Sequence, residues 1–213
     1  MYKKFFKRFL DILLSLIALP FVLLVLLIMA PVIYFSDRGP IFYNAPRLGK
    51  NGKIFKMFKL RSMRVNAPDI RNADGSTYNG DDDPRVTKVG RFMRKTSLDE
   101  LPQFLNVLIG NMSIVGPRAH LTTNYHGFDS LDKAHRQRLS VLPGITGYSQ
   151  AYYRNSANSE EKLKHDCYYA EHISFMLDIK ILLQTVKSVL KRENIYVSQE
   201  TKPEQSTEEA CSK

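Results

Sequence analysis

The chain has 213 residues, a formal net charge of +10 and two cysteines, Cys167 and Cys211. That length admits one modest domain plus a membrane segment rather than two independent cores, and two distant cysteines exclude a disulfide framework or a zinc site and fit a reducing compartment. The excess of base favours anionic partners, meaning phosphorylated substrates, acidic lipid or nucleic acid, without choosing among them.

From Ile12 to Phe35 the sequence is apolar and free of charge. Roughly two dozen residues are enough to cross a hydrocarbon core of about 30 Å as a helix. The run is too long for a signal peptide, and no small-residue cleavage site follows it. Lys3, Lys4, Lys7 and Arg8 precede it, and Arg38, Arg47, Lys50 and Lys53 follow, so both flanks satisfy the positive-inside rule for the cytoplasmic face. Pro20 removes a backbone donor near the middle and clashes with the carbonyl of Leu16, which predicts a kink, and Ser15 is the nearest hydroxyl able to cap the freed carbonyl. The segment therefore reads as a re-entrant membrane helix, broken at Pro20, that enters and leaves by one face. A tilted, proline-kinked span is the competing reading.

Ile41 to Met63 reads as a hairpin turning at Gly49-Lys50-Asn51-Gly52, with Lys59 and Arg61 leading back toward a site. Asn66 to Asp83 is a polar surface loop whose aspartate run lacks the spacing of a calcium loop. Arg91 to Lys95 and Leu101 to Ile109 are helical, the second ending at Gly110. Ser113 to Val115 is a short apolar run before Gly116-Pro117-Arg118, a turn with an arginine at its tip, and His135 to Leu142 is a basic helix stopped by Pro143-Gly144. Glu160 to Arg192 is the longest helical pattern, its second half suited to a core or to a membrane interface. The fold class is thus mostly α with a small β-hairpin. A kinked membrane helix (1–36) precedes a compact cytosolic α/β catalytic domain with interfacial amphipathic helices (37–195), and a disordered tail follows (196–213). Neither a P-loop nor a Gly-x-Gly-x-x-Gly motif is present.

The most informative residues are Asp99 and Glu100, in Ser97-Leu98-Asp99-Glu100-Leu101-Pro102-Gln103, a stretch crowded with Arg91, Arg94, Lys95 and Arg118. Neighbouring cations keep a carboxylate ionised, as a nucleophile or metal ligand requires, and two adjacent carboxylates that both stay ionised imply a divalent cation as well. The blander explanation is a capping box, with Ser97 capping and Glu100 three positions later.

Five segments in order, Phe58 to Met63, Asp83 to Arg94, Ser97 to Gln103, Asn111 to Arg118 and Pro143 to Gly147, closely resemble the bacterial sugar transferase family of monotopic phosphoglycosyl transferases, over nearly the whole chain. The resemblance implies transfer of a sugar 1-phosphate from a UDP-sugar to undecaprenyl phosphate with release of UMP, through a covalent phosphosugar-aspartate intermediate. It implies Asp99 as the nucleophile, Glu100 as its partner acid, both associated with Mg²⁺, and Lys59, Arg94, Arg118 and Arg154 as phosphate contacts. Asp166, Tyr169 and Asp178 match its carboxy-terminal pattern and read as structural. The implied setting is the cytoplasmic face of a bacterial inner membrane, with a UDP-sugar, undecaprenyl phosphate and phospholipid as partners and no nucleic acid, a homodimer being left open. The chain looks like the family's minimal form, similar to enzymes that initiate bacterial protein glycosylation. It departs from the family at Leu19, at Ala119 and at Gln150-Ala151-Tyr152-Tyr153-Arg154-Asn155. Two other readings remain: a membrane-tethered basic module that binds anionic lipid without catalysis, and a phosphohydrolase that forms an aspartyl phosphate.

Overall fold

The computed structural model describes residues 1–71, 78, 80, 82–123, 125–153 and 156–191. Arg154, most of the centre of the 66–83 loop and the tail from 192 onward lie outside the described residues, and so does the expectation of a disordered 196–213 segment.

A wide turn over Tyr2–Phe6 runs into α1, Lys7–Asp37. At 1.5 Å per residue this 31-residue helix is about 46 Å long. Pro20 and Pro31 both lie inside it, and neither ends it. Helical structure therefore continues through Pro20 rather than ending there. Both halves pack on the domain, with Asp11 and Ser15 buried on one side of Pro20 and Val22, Val25, Met29 and Ile33 on the other. Ser15 does not cap a freed carbonyl either, because its hydroxyl is buried without a hydrogen-bond partner.

The buried stripe of α1 lies along the rest of the protein from end to end. Near the amino terminus Lys7 pairs with Asp178 at 2.7 Å, Tyr2 donates to the same carboxylate at 2.6 Å, and Arg8 donates to the carbonyls of Val107 and Leu108. One turn on, Asp11 accepts from Ser113 Oγ at 2.8 Å and from the Ile114 amide at 3.0 Å. At the far end Arg61 grips Asp37 with both guanidinium nitrogens, at 2.6 and 2.5 Å. The opposite face is apolar and open, with Ile17, Phe21, Leu24, Leu27, Ile28 and Phe35 all more than half exposed.

The expected hairpin forms from β1 (Ala45–Leu48) and β2 (Ile54–Met57), antiparallel with Ala45 opposite Met57. Its turn holds Asn51 and Gly52 at positive φ, and a Cβ on Gly52 would strike the Tyr125 hydroxyl at 2.0 Å. After α2 (Lys88–Thr96), α3 (Gln103–Leu108) and β3 (Ser113–Val115), a two-residue strand β4 (His120–Leu121) adds to the other edge of β1, so the hairpin belongs to a three-stranded sheet. β5 (Gly144–Thr146) follows α4 (Lys133–Arg138) and pairs in parallel with β3.

The long pattern expected from Glu160 to Arg192 is two helices. After α5 (Tyr148–Tyr152) come α6 (Ser159–Glu171), opened by an Asn158–Glu161 capping box, and α7 (Phe175–Lys191), where Ser174 Oγ accepts from the Leu177 amide. The hydroxyl of Ser174 offers the chain a fresh start, and side-chain periodicity does not register such a break.

One core joins the sheets to α3, α6 and α7 through Phe55, Met57, Val107, Val115, Tyr169 and Ile181. A second joins α1 to the domain through Val25, Met29, Ile33, Leu60 and Met93. Tyr169 and Asp178 are structural, the phenol donating to Asp178 at 2.7 Å and to the Val115 carbonyl at 3.0 Å.

Asp166 on α6 pairs with Arg138 on α4 at 2.6 Å, both nearly inaccessible. Burial pushes the Asp166 carboxyl up to about 6, against the pull of Arg138. Because its folded pKa lies above its unfolded value, this group contributes most below pH 4 and its contribution is lost as pH rises through 6. Asp166→Asn should flatten that part of the stability profile in thermal melts between pH 4 and 7. Arg138→Met, which strands a buried carboxylate, should cost about 3–5 kcal/mol.

Candidate active site

Thr87 caps α2 by accepting from the Gly90 amide, and α2 ends at Ser97 in the left-handed conformation, φ 58°. The next residues, Leu98–Glu100, form one tight 3₁₀ turn, and Pro102 then leads into α3. The Ser97 side chain caps nothing, so the capping box is not formed, and a non-glycine residue is held at positive φ directly before the dyad. Asp99 is 2% exposed.

Lys59 reaches the dyad from the segment after β2. Its Nζ lies 3.0 Å from Asp99 Oδ2 and 3.1 Å from Glu100 Oε1, bridging the two acids. Burial works against the charge on Lys59, but Asp99 and then Glu100 outweigh it, and its pKa is raised. The segment that carries it is clamped on both sides. Asn106 on α3, fully buried, accepts from the Phe58 amide and donates to the Lys56 carbonyl, both at 2.8 Å. The Leu60 amide donates to the Asp99 carbonyl at 2.9 Å, and Arg61 holds the end of α1.

Arg118 stands over Glu100, with a guanidinium nitrogen 3.7 Å from Oε1 and more than half of its side chain exposed. Its turn is buttressed by the Pro143–Gly147 segment, since the Gly116 amide donates to Thr146 O and the Gly144 amide to Pro117 O. A Cβ on either Gly116 or Gly144 would fall within 2.4 Å of the facing backbone, which explains both glycines.

Of the other expected residues, Arg94 donates through Nε to Ser62 Oγ at 3.0 Å and its charge bears on Asp83, toward the loop side of α2. Asp83 itself is tied to Arg85 at 2.8 Å inside the domain. Arg154 lies outside the described residues. Pro20 lies within α1 and touches on the site only through that helix.

Arg47, one of the many bases flanking the apolar segment in the sequence, is a further cation whose surroundings include the charges of Arg118 and Glu100. It sits on β1 with a buried Nε lacking a partner, and it feels burial, Arg118 and the opposing charge of Glu100. No motif marks Asn106, and the sequence reading passed it over.

Among the described residues no three His, Cys, Asp or Glu side chains come together as a metal cluster. Two carboxylates still suit Mg²⁺, which takes one or two protein carboxylates and fills its octahedron with water and substrate phosphate. Lys59 engages Asp99 through Oδ2 and Glu100 through Oε1.

These features define a class: a compact α/β domain with a long apolar helix laid along its flank, and a carboxylate–lysine–arginine site with the chemistry of phosphate handling. The chain belongs to the bacterial sugar transferase family, whose sequence model matches residues 2–192. It is 44% identical to "Galactosyl transferase CpsE" of Streptococcus agalactiae serotype III (strain NEM316), over 86% of this chain and 42% of that protein. It is 41% identical to "UDP-glucose:undecaprenyl-phosphate glucose-1-phosphate transferase" of Escherichia coli (strain K12), over 84% of this chain and 39% of that protein. It is 37% identical to "Exopolysaccharide production protein PSS" of Rhizobium leguminosarum bv. phaseoli, over 87% of this chain and 96% of that protein. The chain thus spans about two fifths of the length of the first two relatives and nearly all of the third.

Proposed function

We propose that this protein transfers a sugar 1-phosphate from a UDP-sugar to undecaprenyl phosphate and releases UMP. The observation that carries the reading is Asp99, buried and bridged by Lys59 to Glu100, which Arg118 faces in turn. The names of the relatives, the Escherichia coli protein among them, support the substrate pair.

In this reading the Asp99 carboxylate attacks the sugar-bearing phosphorus, the bond from that phosphorus to the bridging oxygen breaks, and UMP leaves with the electron pair. A phosphate oxygen of undecaprenyl phosphate then attacks the same phosphorus and returns Asp99 to its carboxylate form. Two displacements suit two substrates that arrive from different phases. Lys59, one-fifth exposed on a flexible stem, exchanges a carboxylate for a phosphate oxygen as the donor enters, and Arg118 meets the equatorial oxygens. Asp99 and Glu100 are the residues that would hold Mg²⁺, which neutralises phosphate charge when bound.

The reading places α1 in one leaflet, with both ends on the cytoplasmic side of the inner membrane. Its two ends grip the same domain at Asp178 and at Arg61, its open face is apolar, and α7 exposes Leu183, Val186 and Leu190 for the interface. Cysteines placed at Met1 and at Arg38 should both label from the cytoplasm only. Periplasmic labelling of position 1 would establish a span instead.

The function is tested by incubating the purified chain with Mg²⁺, undecaprenyl phosphate and a panel of UDP-sugars. UMP together with lipid-linked sugar phosphate is expected. Sugar phosphate released without any lipid acceptor would favour a phosphohydrolase, and lipid binding with no UMP would favour a passive tether.

A further inference from the structure

Lys59 bridges two acids at nearly equal distances, 3.0 Å to Asp99 and 3.1 Å to Glu100. A displacement of about 1 Å would take its ammonium out of reach of one of them, and misplacements of that size in a reacting site cost about 10²-fold in rate. A flexible four-carbon stem does not supply such precision, so the main chain beneath it must. β2 is the outer strand of its sheet. Lys56 faces Pro46 across the pair with β1, and proline has no amide to offer, so the polar groups of Lys56 turn to the open edge.

Asn106 meets that edge as a further strand would. Its side-chain oxygen accepts from the Phe58 amide and its side-chain nitrogen donates to the Lys56 carbonyl, both at 2.8 Å, so the two main-chain groups fix which end of the carboxamide faces which. Asn106 is fully buried, and water does not compete for either bond. The same residue belongs to the stretch of backbone that carries the acids. From the Leu98–Glu100 turn the chain passes into α3 through main-chain bonds from the Leu101 amide to Leu98 and from the Phe104 amide to Leu101. Arg8 of α1 secures the far end of α3 at the carbonyls of Val107 and Leu108. One helical run therefore bears Asp99 and Glu100 at its start and, further along, the carboxamide that fixes the residue next to Lys59. The lysine and its two partners are held to one frame.

We propose that Asn106 is a positioning residue for the active site: its carboxamide sets the height at which the 56–60 segment presents Lys59, and so keeps the ammonium between Asp99 and Glu100. The competing role is satisfaction of a sheet edge, which would add stability without governing the lysine. What the position is worth in turnover rests on the transferase reading; the position itself does not.

Two variants of the full-length protein in detergent separate these roles. Asn106→Leu strands both main-chain groups, and Asn106→Ser, smaller and still polar, is the milder change. The first readout is independent of turnover. In a brief pulse of acetic anhydride at about pH 9, an ammonium clasped by two carboxylates keeps its proton and reacts slowly. Acylation of Lys59, measured by peptide mass spectrometry relative to the exposed Lys50, should rise by about fivefold or more in Asn106→Leu and by about twofold in Asn106→Ser. That of Lys7, paired with Asp178 elsewhere in the domain, should not change. In UMP release Asn106→Leu should lower kcat by at least about tenfold, the scale of one lost hydrogen bond, whereas the same change made in Lys59→Met should cost less than about twofold further, because the group it positions is gone. Unchanged Lys59 acylation in both variants, Lys59 and Lys7 rising together, or an equal loss of UMP release with and without Lys59 would overturn the proposal. Should no UDP-sugar yield UMP even from the unaltered protein, the transferase reading falls, and the acylation ratio alone decides whether Asn106 governs the lysine.

Discussion

Asp99→Asn is expected to leave the fold intact and lower UMP release by about 10⁴-fold or more, the scale seen when a nucleophile is removed from an enzyme that works through it. The change is nearly isosteric, and the main-chain bond from Leu60 to the Asp99 carbonyl does not involve the side chain. An amide oxygen also still accepts from Lys59. What disappears is a carboxylate oxygen able to bond to phosphorus and leave again. Intact-mass measurement separates this role from a purely electrostatic one. With a UDP-sugar and no lipid acceptor, the wild type should gain the mass of one sugar phosphate, and Asp99→Asn should not. Glu100→Gln, which keeps the nucleophile, should still gain it, at a rate lower by about 10²-fold, as expected for loss of one charge-stabilising group. Full turnover by Asp99→Asn would end the proposed mechanism.

Lys59→Met should produce the second largest effect, and a characteristic one. Removing the ammonium leaves two carboxylates facing each other in a nearly buried turn, and like charges at that range force one of them to keep a proton. The nucleophile is then protonated at neutral pH, so turnover at pH 7 should fall by about 10²-fold or more and recover partly as pH rises through the elevated carboxylate pKa. The wild type, with Lys59 between the two acids, should show no such limb near neutrality. Stability should fall by about 3 kcal/mol in thermal melts, the usual cost of removing one partner of a buried ion pair. The alkaline behaviour checks the sign. The folded pKa of Lys59 lies above its ordinary 10.5, so its contribution is complete below 10.5 and is lost as pH rises through the raised value. Wild type should soften in that range, and Lys59→Met should not. A pH–rate profile for Lys59→Met parallel to that of the wild type would show that the lysine does not set the ionisation of the dyad.

Much of this site could be read from local sequence. Asp99 and Glu100 stand out among bases, the hairpin turn announces itself in Gly49-Lys50-Asn51-Gly52, and Gly116-Pro117-Arg118 is a turn by composition alone. The dyad's geometry could not be read, because it depends on partners far away in the chain. Ser97 and Glu100 have capping-box spacing, yet Glu100 turns to Lys59, some forty positions earlier, and Ser97 caps nothing. Arg47 looked like one more membrane-flanking base until β4, two residues long, paired beside it. The parallel contact of β3 with β5 spans some thirty residues and leaves no local trace. Pro20 illustrates the same dependence, since a proline's effect on a helix depends on what the two halves rest against, and here both rest on the same domain.

The grip of Arg61 on Asp37 acquires a further meaning from its neighbours. Lys59 lies two residues before Arg61, and the intervening Leu60 holds the backbone of Asp99, so one short bracket carries the open-faced apolar helix on one side and Asp99 on the other. In the proposed placement of α1 in one leaflet, the elevation of Asp99 above the headgroup plane is then a built-in dimension rather than the average of a swinging tether. An acceptor whose phosphate drifts laterally through the leaflet would meet the reactive carboxylate at one altitude, and its encounter becomes a two-dimensional search.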